Sequence, residues 1–452
     1  MVIYSKRTMG SAGTLLKPLI FFSPCLALLV LLSCASAGSF TKVDDEVERN
    51  HYAGSIALLE KNKKSLYTSR DMLLYYLDKG MLCHYAELYG DSSPLLEDGE
   101  RAIETAFTKS VTQEIGALLL NDNSREYAGE DYEDIYINAF NALNYYHLGE
   151  IDEALVEIRR MNNKLAYLAH KYDAALSNLQ KKALEERLEE IPANPRAAGK
   201  FTDSALARYL GMLFYRGAGL YDDARIDSEW LQAAFANAPT VYTYPPPESL
   251  AGELAIPAGM ARLNVLAFGG LSPVKREQVL RLPLPGGHWI KIALPELVSR
   301  RYNIARIELA FDNGECFDLE LLEDIDAVAR ETFKVRQQLI YLRTILRAAL
   351  KSASSSAFDS AADRASGEAR LVLGVLSVAT QLFSELSEQA DLRISRYFPS
   401  KAYVYGINVP PGLYSFQVKY YHKNGKQITS VRYENIAIKA NALNLVEAVC
   451  LK

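Results

Sequence analysis

The residue types that could do chemistry are scattered along this chain. Glu126, Glu130, Asp131, Glu133 and Asp134 form the densest acidic cluster. Carboxylates in that number could bind Ca²⁺ or divide acid and base roles between them. They lack the D-x-[DN]-x-[DN]-G spacing of a calcium loop. They stand directly before a helix-forming run, where negative charge favours the positive end of the helix dipole. Capping and loop structure is therefore the stronger reading of the cluster. His51, His84, His147, His170, His288 and His422 are isolated, with no H-E-x-x-H and no second histidine at ligand spacing. Ser39-Phe-Thr-Lys42 fits S-x-x-K but has neither the S-D-N nor the K-T-G partner of that nucleophile. No phosphate-cradling glycine loop occurs. The sequence thus assigns no catalytic residue, no metal ligand and no cofactor.

Cys34 is different, because its neighbours specify its chemistry. Lys6, Arg7 and Lys17 precede the apolar run Leu19-Ile-Phe-Phe-Ser-Pro-Cys-Leu-Ala-Leu-Leu-Val-Leu-Leu32, and no acidic residue occurs before Cys34. A positive start, a short apolar core and small residues at its end are the marks of a secretory signal. The core is broken by Pro24 and is shorter than the ~20 residues of a membrane span. Leu31-Leu32-Ser33-Cys34-Ala35 then resembles the bacterial lipobox, in which the cysteine thiol is acylated and becomes the new N-terminus. Residues 1–33 read as the signal peptide and 34–43 as a lipidated linker. Ala35 after the cysteine suits sorting to the periplasmic face of the outer membrane. The expected setting is the cell envelope, with a lipid anchor as the membrane contact.

Removal of the signal takes three of the 50 basic residues, leaving 47 against 55 acidic ones and a net charge of −8. That balance argues against nucleic acid, which needs a basic surface. Cys83, Cys316 and Cys450 remain as thiols, too widely spaced for a disulfide framework or a metal site.

The elements that must position these residues divide into two kinds. From residue 44 to 239 apolar residues recur at helical spacing, as at Ile103, Phe107, Val111, Ile115 and Leu118. Ala142-x-x-Tyr145 with Gly149-Glu-Ile-Asp-Glu-Ala154 resembles the tetratricopeptide pattern, and Tyr209-Leu-Gly211-x-x-Phe214 with Leu220-Tyr-Asp-Asp-Ala224 resembles it again. Tyr242-Thr-Tyr-Pro-Pro-Pro-Glu248 reads as a stiff linker over 240–261. Strand-like alternation follows over 262–452, with two inserted helices at about 324–350 and 368–390. The alternation of Tyr414, Phe416, Val418 and Tyr420 predicts half-buried antiparallel strands. The fold class is α+β: a tetratricopeptide-like helical domain, then a mixed β/α region ending in an antiparallel, β-sandwich-like sheet.

Several segments together resemble one family. They are Leu120-Asn-Asp-Asn-Ser-Arg-Glu-Tyr-Ala-Gly-Glu-Asp-Tyr-Glu133, Gly149-Glu-Ile-Asp-Glu-Ala-Leu-Val-Glu-Ile-Arg159, Leu271-Ser-Pro-Val-Lys275, Lys291-Ile-Ala-Leu-Pro295, Glu323-Asp-Ile-Asp-Ala-Val-Ala-Arg330 and Asp391-Leu-Arg-Ile-Ser-Arg-Tyr-Phe-Pro399. The chain is similar through them to a family of uncharacterised bacterial envelope lipoproteins with tetratricopeptide-like repeats. The resemblance implies a role in envelope or peptidoglycan assembly and puts no catalytic residue on the chain.

These readings converge on a non-catalytic interaction scaffold. Stacked helix pairs bind partner segments on the face lined by their first helices. On the repeat register that face carries Tyr136, Leu143, Tyr146, His147, Arg208, Met212 and Tyr215. The alternative for these seven residues is packing against the chain's own β/α region. Two other function classes stand beside the scaffold. One is an envelope glycan-modifying enzyme using dispersed carboxylates such as Asp131 or Glu133. The other is a lipid or ligand carrier with an apolar cavity near Leu371 to Phe383.

Overall fold

A computed structural model describes residues 37–112, 125–168, 170–185, 201–283, 289–364 and 389–452. Cys34, His288, the stretch Leu371 to Phe383 and nearly all of the helix expected at 368–390 lie outside the described residues.

The first half is helical: α1 (Ala37–Glu48), α2 (Tyr52–Leu66), α3 (Met72–Tyr85), α4 (Tyr89–Thr112), α5 (Asp131–Leu148), α6 (Ile151–Leu168), α7 (Asp173–Glu185), α8 (Ala205–Gly217) and α9 (Tyr221–Asn237). Local sequence sets their ends. Glu130 and Glu133 form a reciprocal capping box at the start of α5, and Gly149 at φ 80° ends it in the left-handed conformation. Ser204 caps α8 by accepting from the Ala207 amide. On α6, Ala154, Leu155, Ile158, Met161, Leu165 and Leu168 are buried, the i, i+3, i+4 stripe of an amphipathic helix. Helices α3 and α4, α5 and α6, and α8 and α9 pack as pairs.

The second half supplies strands β1 (Ala261–Leu271), β2 (Val274–Pro283), β3 (Trp289–Val298), β4 (Ile304–Phe311), β5 (Cys316–Asp318) and β6 (Glu320–Asp324). Then come helix α10 (Ile325–Arg364) and strands β7 (Pro399–Val409), β8 (Gly412–His422), β9 (Gln427–Ile438) and β10 (Asn444–Cys450). They form a β10-β1-β7-β6 sheet, a β2-β3 hairpin and a β5-β4-β8-β9 sheet. Pairing is antiparallel except that β10 lies parallel to β1, with Leu263 opposite Asn444 and Gly269 opposite Cys450. Gly314 at φ 93° makes the tight turn between β4 and β5.

Strand β1 explains how the layers stack. Its even positions, Leu266 and Phe268, belong to the core shared with the helices. Its odd positions, Leu263, Val265 and Ala267, belong to a second core shared with Ile307, Leu309, Phe416 and Val418 of the other four-stranded sheet. Helices, mixed sheet and antiparallel sheet therefore form three layers around two apolar cores. A strand covered on both faces loses the polar alternation of a surface strand, which is why β1 reads as nearly continuous apolar sequence.

Three expectations change. Residues 37–43, read as linker, already belong to α1, and Val43 is buried against the helices. The proline-rich stretch 240–261 packs onto the fold: Val241, Tyr242 and Leu250 are buried, and the Tyr242 ring sits 4.5 Å from Phe235. Its prolines forbid helix and strand, but tyrosines on either side find apolar partners. The helix expected at 324–350 continues to Arg364.

Candidate functional site

The face expected to be a partner groove is filled by the chain itself. Tyr136 is fully buried and donates to Glu323 Oε1 on β6 at 2.6 Å. Leu143 and Met212 lie in the helix–sheet core, and Tyr215 is buried beside them. Tyr146 accepts from the Leu445 amide at 2.9 Å on β10. His147 stacks on Tyr89 at 4.3 Å with its Nε2 3.4 Å from Glu447 Oε2. Arg208 pairs with Asp203 and Asp227, each at 2.8 Å, and lies over the Trp230 ring. Tyr136, Tyr146 and His147 are thus taken up by the chain's own strands and Leu143, Met212 and Tyr215 by the core, whereas Arg208 pairs within the helical half. The physical reason is the central sheet: its helix-facing side is apolar and must be covered.

Buried polar pins fix that contact. Glu323 also accepts from Ser204 Oγ at 2.8 and 2.9 Å and from the Leu206 amide, so β6 delivers a carboxylate to the N-terminus of α8. Burial pushes its pKa up to about 7, the donors holding it down only in part. Around His84 the hydrogen-bond directions are determined. Ser92 donates to the Gly80 carbonyl (2.8 Å), so it accepts from Asn144 Nδ2 (2.9 Å). Asn144 Oδ1 then faces His84 Nδ1 (2.7 Å), and His84 Nε2 faces Glu447 Oε1 (2.6 Å). With Asn144 in this orientation both ring nitrogens face acceptors, an arrangement that favours an imidazolium paired with a carboxylate. Burial opposes that charge, but Glu447 and Asn144 raise the His84 pKa above its ordinary value. The two histidines hold Glu447 down at about 2 against its own burial.

An extended segment, residues 391–398, completes the cover. Its Ser395 amide donates to Glu133 Oε1 at 2.6 Å and its Arg396 amide to Asp78 Oδ1 at 2.7 Å. Arg393 reaches Asp71 at 3.1 Å, and Tyr85 donates to the Tyr397 carbonyl at 2.9 Å.

Beside this segment lies a cavity of about 510 Å³. It is lined by α4 and the α4–α5 connection, the turn before α7, the β2–β3 hairpin, α10 and residues 389–391. Arg336, Arg343 and Arg347 line it from α10, spaced by seven and four residues and so on one helical face. Arg125, Lys171 and Lys275 add three more cations, against Glu126, Glu130, Asp131 and Asp391. Phe107, Pro295, Leu339 and Ile340 supply apolar wall. Glu130 pairs with Lys275 and, at 3.2 Å, with Arg336. Asp131 is held by Lys171 at 2.8 Å and Tyr172 at 2.9 Å.

The acidic cluster is therefore distributed. Glu130 and Asp131 reach the cavity, whereas Glu133 turns away to Tyr127, the Glu130 amide and the Ser395 amide. Asp134 pairs with Lys164 at 2.7 Å. Asp131 and Glu133 do not face a common space as a glycosidase pair must. Among the described residues no group of three or more His, Cys, Asp or Glu side chains is placed to hold a metal ion. Among them also, no helix is long and apolar enough to cross a membrane.

Sequence reasoning missed the α10 arginine row, Lys275 and Glu323. The row carried a signal, since its spacing repeats a helical face, but nothing local says that the face looks into a cavity. No family model matches the chain, and neither does any curated protein or solved structure.

Proposed function

We propose that this chain is a membrane-tethered, non-catalytic binding protein of the bacterial envelope, anchored by acylation of Cys34. Its cavity is the binding site, and its ligand is an anionic, partly apolar molecule. The observation that carries the reading is the cavity wall: six cationic against four acidic side chains, interleaved with Phe107, Pro295, Leu339 and Ile340. A pocket of that size with an apolar wall and a few converging charges is the usual form of a small-ligand site. Excess positive charge at low dielectric favours a carboxylate, sulfonate or phosphate.

The proposal retains the binding role of the scaffold idea and moves it from the inner helical face to the cavity. A tetratricopeptide-like origin of the helices is supported by small residues at the pair crossings. Gly80 faces Leu96 of α4, Gly211 faces Asp227 of α9, and Ala142 is fully buried. In this chain the face that such repeats offer to partners is spent on the β region.

Anilinonaphthalene sulfonate, an anionic aromatic probe, tests the site. It should bind the full chain with fluorescence enhancement, and the uncharged phenylnaphthylamine should bind about tenfold more weakly. Ala106→Trp places a large ring in the cavity from a half-buried lining position. It should abolish probe binding while leaving the thermal unfolding transition in place. Equal binding of both probes, or binding untouched by Ala106→Trp, would overturn the reading.

A further inference from the structure

The connections at one end of the molecule form a surface that neither the cores nor the cavity uses. Tyr89, just after the α3–α4 turn, stacks at 4.3 Å on His147, just before the α5–α6 turn. The Tyr146 hydroxyl lies 3.3 Å from the Leu443 carbonyl in the β9–β10 loop, and Gly217 at the α8–α9 turn packs against the Leu443 side chain. Arg216 donates to the Glu253 carbonyl at 2.8 Å, which brings in the loop from Leu254 to Met260. Ala261, where that loop enters β1, pairs with Val409, so the β7–β8 turn lies at the same end.

What this end exposes is apolar. Leu88, Leu148, Leu220, Tyr221, Leu254 and Leu413 stand on these connections, each between 39% and 69% exposed. They are six of the eleven large apolar side chains exposed among the described residues, so such surface is gathered here rather than scattered. No charged residue occurs from 254 to 261 or from 409 to 416, and Pro257, Pro410 and Pro411 are exposed between the larger side chains. Single exposed apolar residues are ordinary, whereas a gathered set marks an interaction site.

Charge sets the kind of partner. The first helix turn carries Glu87 and Asp91, the second Glu150, Asp152 and Glu153, and the third Asp222 and Asp223, all exposed. The β loops answer with Lys439 alone. Helix N-termini account for acids beside the turns, but not for a leucine exposed at each of them. Seven carboxylates would repel an anionic bilayer surface, and a second copy of this chain would set acid against acid.

We infer that this end is a docking surface for a basic, apolar segment of a partner protein. The partner's apolar side chains cover the loop leucines, and its lysines or arginines face the carboxylates of the helix turns. The surface shares no residue with the cavity and does not depend on acylation of Cys34.

The test uses the full chain purified in nonionic detergent and short labelled peptides, read by fluorescence anisotropy against detergent alone. A peptide of alternating lysine and leucine should bind about tenfold more tightly than its glutamate–leucine or lysine–serine counterpart. Leu148→Ser with Leu220→Ser should weaken that binding about tenfold, and so, separately, should Glu150→Lys with Asp222→Lys. Val279→Ser with Glu104→Lys, exposed on other faces, should leave it unchanged. All of these positions are exposed, so each variant should keep a cooperative unfolding transition. Equal binding of the lysine–serine peptide would refute the apolar contact, and equal binding of the glutamate–leucine peptide the charge match. An equal loss in the Val279→Ser, Glu104→Lys control would refute the location. A parent dimer in sedimentation equilibrium that the leucine variant loses would assign the surface to a second copy. Maleimide labelling of Leu148→Cys that phosphatidylglycerol vesicles alone suppress would assign it to a bilayer. Either assignment overturns the inference.

Discussion

Replacing Glu323 by Gln should remove a large share of the pH dependence of this fold. The carboxyl is fully buried between β6 and the start of α8, among Tyr136, Ser204 and the Leu206 amide. Its pKa moves from 4.5 to about 7 on folding. The folded state thus holds the proton more tightly than the unfolded chain. The associated stability is complete below the unfolded value and is lost as pH rises through the folded one. A rise of that size corresponds to about 3 kcal/mol. Most of it, about 2 to 3 kcal/mol, should disappear between about pH 5 and about pH 8. The introduced glutamine cannot ionise. Its oxygen can still accept from the Leu206 amide, and its amide can donate to a hydroxyl of Tyr136 or Ser204 turned round to accept. The variant should therefore lie within about 1 kcal/mol of the parent at the acidic end and gain on it steadily as pH rises. Urea unfolding of both proteins across that range reads the effect as a double difference. Asp78 and Glu133, raised by burial to about 6 and about 7, titrate in both and cancel. Parallel pH profiles for parent and variant would sink the reasoning.

Other outcomes follow from the same contacts. Glu447→Ala strands the His84 imidazolium and should cost about 3–5 kcal/mol, measured as a fall in unfolding free energy near neutral pH. His84 has a raised pKa and Glu447 one held down at about 2. Their pairing should contribute fully between the two ordinary values. It should fade on the alkaline side as His84 deprotonates and on the acid side as Glu447 protonates, which ring-proton NMR of His84 can follow. Gly211→Ala drives a Cβ into the Asp227 carboxylate that Arg208 holds; calorimetry should show a loss of about 1–3 kcal/mol. Phe268→Ala opens the helix–sheet core at its fully buried centre and should cost about 3–5 kcal/mol, read by urea unfolding.

Much of the architecture was legible because its signals are local. The α5 boundary was written in Glu130, Glu133 and Gly149. Strands β8 and β9 were written in alternation and in the Asn424-Gly425 turn, where Gly425 takes φ 80°. What stayed hidden depends on residues far apart in sequence. The repeat register correctly gathered Tyr136, Tyr146 and His147 on one face. It could not say that Glu323, Leu445 and Glu447, about 190 to 300 residues onward, would occupy that face. Helical periodicity reports which side of a helix is special and is silent on what meets it. The cavity was hidden for the same reason, since Lys171, Lys275 and Arg336 come from three separate elements. Residues 391–398 hid differently: their backbone donors are spent on side chains such as Asp78 and Glu133, so they have no periodicity to detect.

The parallel pairing of β1 with β10 has a consequence for the order in which the molecule can form. Leu263 meets Asn444 across about 180 residues of chain, the longest separation of any strand pair among the described residues. Strand β10 also carries Val446, Ala448 and Cys450 into the inter-sheet core and Leu445 into the helix–sheet core. A chain delivered from its N-terminus cannot finish either core until β10 arrives. Closures over such separations slow folding. We predict that deleting residues 443–452 abolishes cooperative unfolding altogether rather than lowering its midpoint. A sharp transition surviving in the truncated chain would show that the helices hold a core of their own. Late completion leaves both cores open until β10 is in place, so that their assembly becomes a single event.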